Sequence, residues 1–296
     1  MATASTRKAP AKKRPSRSVA RARKIIKASS PSKPVHETEA DVIRRINDRF
    51  NLASEIIDGI TRGDHRAVII SGPPGVGKSA KVLERLYEYD ADGPGYNYNI
   101  DTGHVKATGL YKRLFEFRNP GQVVVFDDAD SVFNEESALN LLKASCDTTE
   151  SRYLTWASEY QFAPVNGEPV PNRFEFRGGV IIITNLDFDA LIAAKHRHAK
   201  HFEALMSRAH YIDLGIKSPT HCMIRVKTVV KDDRMLEKRG LDVAEEDQVI
   251  GYMNDNLERL REVSLRMAVK ISDQLKVYRG QPERWKPIVD LTCLRR

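Results

Sequence analysis

The chain has 296 residues, 41% of them hydrophobic and 30% charged, with a formal net charge of +8. These values support a globular core and exclude wholesale disorder. No run of about 18 apolar residues occurs, which excludes a membrane-spanning helix, and the basic N-terminus lacks the apolar stretch of a secretory signal.

The charge is unevenly placed. Residues 1–34 hold eleven Lys and Arg and no Asp or Glu, which leaves 37 basic and 40 acidic residues for the remainder. Residues 1–36 have no aromatic residue and are rich in Ala, Lys, Arg, Ser and Pro. Such a segment cannot bury enough surface to offset its ordering entropy, so a disordered basic tail is expected. A polycation binds phosphate backbones without sequence choice, which makes DNA one expected partner. A solubility or localisation tail is the alternative. Three widely spaced cysteines, Cys146, Cys222 and Cys293, are too few for a disulfide framework and point to a reducing, cytoplasmic compartment.

From residue 37 the pattern changes. Val42, Ile43, Ile46, Phe50, Leu52, Ile56 and Ile57 recur at near-helical spacing up to Gly63. Residues 67–71 read as a buried strand, followed by a glycine-rich turn and a helix over residues 78–87. Further strands are expected at 122–128, 179–185 and 210–214, with helices over 110–117 and 136–146. Strands alternating with helices imply a largely parallel sheet covered on both faces. Residues 152–177 break this rhythm. Tyr153, Trp156, Tyr160, Phe162, Phe174 and Phe176 flank the turn signal Asn166-Gly167, so a β-hairpin is expected there. After about Lys217 the strand signals fade. Leu257, Leu260, Val263, Met267, Ile271 and Leu275 form one stripe of a helix expected over 249–278. The expected division is a tail over 1–36, an αβα core over 37–216 and a small helical domain over 217–296.

The strongest chemical signal is Gly72-Pro73-Pro74-Gly75-Val76-Gly77-Lys78-Ser79, which fits G-x-x-x-x-G-K-[ST] between a strand and a helix. Phosphates need backbone N–H donors that can approach closely, which glycine allows, and the helix N-terminus adds the positive end of its dipole. The expected phosphate cradle is Gly72 to Ser79 together with Ala80. Lys78 reaches the β- and γ-phosphates, and the Ser79 hydroxyl ligates Mg²⁺. The second signal is Val123-Val124-Val125-Phe126-Asp127-Asp128, an apolar strand with acids at its C-terminal end, where ligands of α/β sheets bind. Asp127 is expected to hold Mg²⁺, and Asp128 to orient the attacking water. His196, His198 and His201 form an H-x-H-x-x-H run, but no Cys or acidic partner stands at zinc spacing, and a solvated basic loop is the preferred reading.

These motifs, with Ala129-Asp130 after the acidic pair and the strand Val180-Ile181-Ile182-Ile183-Thr184-Asn185, resemble the AAA+ ATPases, and among them the single-domain AAA+ ATPases of tailed bacteriophages. The resemblance implies an AAA+ core followed by a helical lid, ATP and Mg²⁺ as cofactors, and assembly with copies of itself, most often as a hexameric ring. It makes Asn185 the sensor that holds the lytic water or γ-phosphate. Ala204-Leu205-Met206-Ser207-Arg208-Ala209 resembles the Ser-Arg-Cys box of clamp loaders, so Arg208 is the expected finger into a neighbouring subunit, with Arg197 as a rival. Val263-Ser264-Leu265-Arg266-Met267-Ala268 resembles a lid helix whose Arg266 contacts the γ-phosphate, with Arg261 as a rival. Two positions depart from the family pattern: Asp128 stands where Glu is usual, and Ala209 where clamp loaders have Cys.

The implied activity is ATP hydrolysis by a motor or switch acting on DNA or a nucleoprotein complex, in replication, recombination or helicase loading. A protein-remodelling chaperone and a nucleotide-gated scaffold with slow hydrolysis are the alternatives. The aromatic hairpin fits either a core element or a projecting pore hairpin, and its tip, Asn166-Gly167-Glu168, is not basic.

Overall fold

Five short segments carry the apolar runs that form the central sheet. In the computed structural model, which describes residues 37–295 apart from Tyr160, they are β1 (Ala67–Ser71), β2 (Tyr98–Thr102), β3 (Val123–Asp127), β6 (Gly179–Thr184) and β7 (His210–Asp213). The expectations for residues 1–36 and for Tyr160 fall outside the described residues. All five strands are parallel, in the order β2-β3-β6-β1-β7. Every residue of β1 and β6 is buried, as a central parallel strand covered on both faces requires.

The register sets the site. Ser71 lies beside Thr184 and Asp213, and Asp127 beside Thr102 and Ile183. The polar C-terminal ends of β1, β3 and β6 therefore line up at one edge of the sheet.

Helices cover the two faces. On one, α1 (Glu39–Arg62) and α2 (Lys78–Tyr89) pack through Ile46, Phe50, Ile57 and Leu86 onto Val68, Ile70, Val125 and Ile181. On the other, α3 (Ala107–Glu116), α4 (Glu136–Ser145), α5 (Phe188–Ala193) and α6 (Ala199–Met206) pack onto Ile69, Val124, Phe126 and Ile182. A third apolar cluster gathers α7 (Pro219–Lys231), α8 (Val243–Asp255), α9 (Leu265–Val277) and α10 (Pro282–Cys293) around Trp285, Met253, Ile271 and Val289. Residues from Glu39 onward form one compact unit.

Three elements differ from the sequence expectation. The helix expected over 249–278 is two helices: α8 ends at Asp255, Leu257, Leu260 and Val263 lie in the segment between with Leu260 bridged to Leu294, and α9 starts after Ser264, whose hydroxyl accepts the Met267 N–H at 3.0 Å as its N-cap. Strand β2 was not expected, since Tyr-Asn-Ile-Asp-Thr has only one fully buried residue, Tyr98, as suits a sheet edge. The hairpin exists, but its strands β4 (Tyr153–Thr155) and β5 (Arg173–Glu175) pair far from the Asn166-Gly167 turn, which closes only the bridge Val165–Glu168. Phe162, Phe174 and Phe176 are buried and Trp156 packs against the same core, whereas Tyr153 is exposed. Tyr111 of α3 stacks on Phe162 at 5.0 Å and meets the edge of Phe174 at 5.1 Å.

Candidate active site

The chain leaves β1 at Ser71 and turns through residues 72–77 into α2, whose first residue is Lys78. Two turn positions demand glycine. Gly75 and Gly77 have φ of +69° and +98°, and a Cβ on Gly75 would lie 2.5 Å from the Ser264 Cβ. The lid thus touches the loop directly: the Leu265 N–H donates to the Gly75 carbonyl at 2.8 Å. Behind the loop, Val76 is buried in the core and its carbonyl accepts from Arg225 Nε at 3.4 Å. Arg225 in turn stacks on Phe50.

Lys78 is buried at 6% exposure. Its ammonium donates to the Gly72 carbonyl at 2.7 Å, the Pro73 carbonyl at 2.9 Å and Asn185 Oδ1 at 2.8 Å. Burial pushes this amine down to about 8, against the pull of Asp128 and Asp127. Next to it, Ser79 Oγ donates to Asp127 Oδ1 at 2.8 Å. Burial raises the Asp127 carboxyl above the usual carboxylate range, a rise that the Ser79 bond opposes. Asp128 sits at φ +50°, a left-handed conformation uncommon for a residue with a side chain. Its N–H is held by the Ile183 carbonyl at 3.1 Å, and Oδ1 accepts Asn185 Nδ2 at 2.8 Å. Asn185 therefore bridges Lys78 and Asp128 through the two ends of one amide.

A cavity of about 550 Å³ opens over these groups. Pro74, Gly75, Gly77, Lys78, Ser79 and Ala80 form one wall, Asp128 and Asn185 the floor, and Met235, Leu265, Arg266, Val269 and Lys270 the lid side. Arg266 Nη2 stands 4.0 Å from Asp128 Oδ2. Its rival Arg261 faces elsewhere, donating to the Leu294 carbonyl at 3.1 Å. The site thus gathers three cations, Lys78, Arg266 and Lys270, with backbone amides at a helix N-terminus, which suits a polyphosphate. Ser79 and Asp127 offer adjacent hard oxygen donors of the kind Mg²⁺ takes when phosphates and waters complete its shell. Among the described residues, no group of three or more His, Cys, Asp or Glu side chains could hold a metal ion by itself.

No protein-family model matches the sequence. A phage T4 protein, described as "Uncharacterized 36.7 kDa protein in nrdC-mobD intergenic region", is 37% identical over 240 residues, which cover 81% of this chain and 72% of that protein. The chain belongs to the family of this phage protein. The glycine-rich loop between β1 and α2, in a parallel sheet of order β2-β3-β6-β1-β7 with the acidic pair after β3, is the strand–loop–helix of a P-loop. Solved structures are more remote. Domain III of the Thermotoga maritima replication initiation protein DnaA is 12% identical with a TM-score of 0.43, over 79% of this chain and 85% of that one. Brucella abortus NtrX in complex with ADP is 14% identical with a TM-score of 0.41, over 92% and 69%. Likeness at that distance assigns nothing to members of the phage family.

Of the residues singled out from the sequence, Arg208 stands apart from the cavity. Its Nε lies 3.2 Å from Asp147 Oδ2 and its Nη1 donates to the Ala204 carbonyl at 2.9 Å. Arg197 is exposed and does not line the cavity either. The ring centroid of His198 lies 5.7 Å from that of His196 and 5.7 Å from that of His201. Met235, Leu265, Val269 and Lys270 were not anticipated. The visible signal was the repeat at four residues in α9, Leu265 with Val269 and Arg266 with Lys270, which puts an apolar and a cationic pair on neighbouring stripes of one helix. Among the described residues no helix is long and apolar enough to cross a membrane.

Proposed function

We propose that the chain binds MgATP in the cleft between the glycine-rich loop and α9 and hydrolyses it. The observation that carries this reading is the Asn185 amide bridging Lys78 and Asp128, beside the Ser79–Asp127 pair. Loop amides and Lys78 hold the phosphates, and Ser79 and Asp127 hold Mg²⁺. Asp128 and Asn185 place a water in line with the γ-phosphorus. The new bond forms from that water oxygen, the bond to the β–γ bridging oxygen breaks, and ADP and phosphate leave. Arg266 of the lid neutralises developing charge in its own subunit, and Arg208 does so from a neighbour in a homo-oligomeric ring. Met235, Leu265 and Val269 offer an apolar surface for the base.

The coupled substrate in this reading is DNA or a nucleoprotein complex. The eleven cations of residues 1–34 support it, since each phosphate they neutralise releases counterions. Steady-state ATP hydrolysis tests both parts, with and without single- and double-stranded DNA across a salt titration, alongside K78A and a chain lacking residues 1–36. Stimulation by DNA that shrinks with tail removal, most at low salt, is the expected result. A basal rate lost in K78A but indifferent to DNA would leave the ATPase and overturn the DNA substrate.

Asp128 favours one second reading, a nucleotide-gated scaffold with slow turnover. Its carboxylate is one methylene shorter than that of Glu and is already engaged by Asn185. A single-turnover rate far below once per minute with tight MgATP binding would decide for it.

A further inference from the structure

The acid three residues beyond Asp127 has no part in the scheme above. Asp130 opens the 3-10 turn Asp130–Asn134 and does not line the cavity. Its Oδ1 accepts the Thr184 hydroxyl at 2.6 Å, and the backbone N–H of Asn185 is near enough to favour the charged carboxylate. Thr184 is fully buried. Its Oγ accepts the Leu186 N–H at 3.0 Å, and its carbonyl accepts the Gly72 N–H at 3.3 Å. The Leu186 carbonyl accepts Ser71 Oγ at 2.6 Å. One carboxylate thus fixes the last residues of β6 and, through them, the exit of β1 into the glycine-rich loop. The residue that follows Thr184, with its backbone N–H near this carboxylate, is Asn185, whose side chain spans Lys78 and Asp128.

We infer that Asp130 is a positioning residue that sets the Asn185 amide against the γ-phosphate, so that the site tells ATP from ADP; this rests on the assignment of the cleft to MgATP. A carboxylate is needed because two donors converge on it. An asparagine in its place still accepts the Thr184 hydroxyl but turns an amide N–H toward one of the donors, leaving that donor without an acceptor. A buried group so stranded shifts, and the Asn185 side chain shifts with it. The loop amides and Lys78 bind the α- and β-phosphates without Asn185, so ADP is held as before.

The test compares wild type, D130N, T184V and T184S, each checked by thermal melting. Binding of fluorescent ADP and of a slowly hydrolysed ATP analogue is measured with Mg²⁺, together with kcat and KM. In D130N and T184V the ADP affinity stays within about twofold, the preference for the ATP analogue falls about tenfold, and kcat falls by a similar factor. T184S, which keeps the hydroxyl, matches wild type. The D130N/T184V double variant loses no more than the worse single one, since both loosen the same junction between Asp130 and the end of β6. Equal weakening of ADP and ATP analogue would make Asp130 a scaffold group only and overturn the inference. So would wild-type discrimination in both D130N and T184V. Failure of the wild type to bind either nucleotide would instead sink the MgATP assignment, and the inference with it.

Discussion

Lys78 puts a number on the tension between binding and folding. A buried ammonium whose proton is held at about 8, against an ordinary value of 10.5, binds that proton less tightly in the folded chain than in the unfolded one. Between those two values the unfolded state carries more protons, so stability rises as pH rises through the window. Between about pH 7 and pH 10 the gain from this one group is about 2–3 kcal/mol. In urea that is a midpoint shift of about 1 M for a domain of this size. Other lysines and tyrosines titrate in the same window, so the readout is the difference between wild type and K78M, unfolded in urea at several pH values without nucleotide. The wild type should gain on the variant by about that amount. Saturating MgATP should abolish the gain, because phosphate oxygens restore the charged amine. A difference flat across the window would refute the argument, since it would mean that Lys78 is solvated as well in the folded chain as in the unfolded one.

Two further outcomes follow from the site. D128N should keep nucleotide affinity and lose about a hundredfold in kcat, because the acid acts on the water and not on the bound phosphates; D128E, which advances the carboxylate by one methylene, should turn over several-fold faster than wild type in the same steady-state assay. R208A and K78A should each be inactive alone but recover part of the wild-type rate when mixed, if the finger acts across a subunit boundary; mixtures that stay inactive at every ratio and concentration would remove Arg208 from the mechanism.

How much was legible depended on how local the signal was. β1, β3 and β6 are nearly continuous apolar runs, and their bounds could be read to within a residue. β2 could not, because an edge strand needs only one buried side chain and its Asp101 is paired with Arg113 instead of facing the core. The stripe from Leu257 to Leu275 read as one helix because Leu257, Leu260 and Val263, which lie in the non-helical segment after α8, pack into the same cluster as Met267, Ile271 and Leu275 of α9. The side chain of Ser264, turned back onto the Met267 N–H, marks where α9 begins. The glycine-rich loop and Asp127 announce themselves by spacing, since their chemistry needs neighbours in sequence. Met235 and Val269 reach the cavity only through the packing of the helical region, and no local pattern carries that. The choice between Arg266 and Arg261 was likewise closed to spacing. The difference lies in a backbone partner, Leu294, that is 33 residues from Arg261.

The N-cap at Ser264 has an energetic consequence at the loop it touches. Gly75 and Gly77 both hold positive φ, so alanine at either costs about 1–2 kcal/mol in backbone strain. Their surroundings differ. A Cβ on Gly77 would meet nothing closer than the Leu265 Cδ1 at 3.4 Å, the end of a side chain that can yield. A Cβ on Gly75 would meet the Ser264 Cβ at 2.5 Å, an atom fixed to the first turn of α9. G75A must therefore push α9 off the loop and break the bond from the Leu265 N–H to the Gly75 carbonyl. It should melt several degrees below G77A. The remedy is specific. S264G removes the obstructing Cβ, and glycine is only a few tenths of a kcal/mol worse than serine as an N-cap. G75A/S264G should thus recover most of the gap to G77A, although S264G alone is slightly destabilising. Equal melting of G75A and G77A, or a double variant no better than G75A, would mean that α9 does not rest on the loop, and Arg266 would then lose the contact that places it over the cavity.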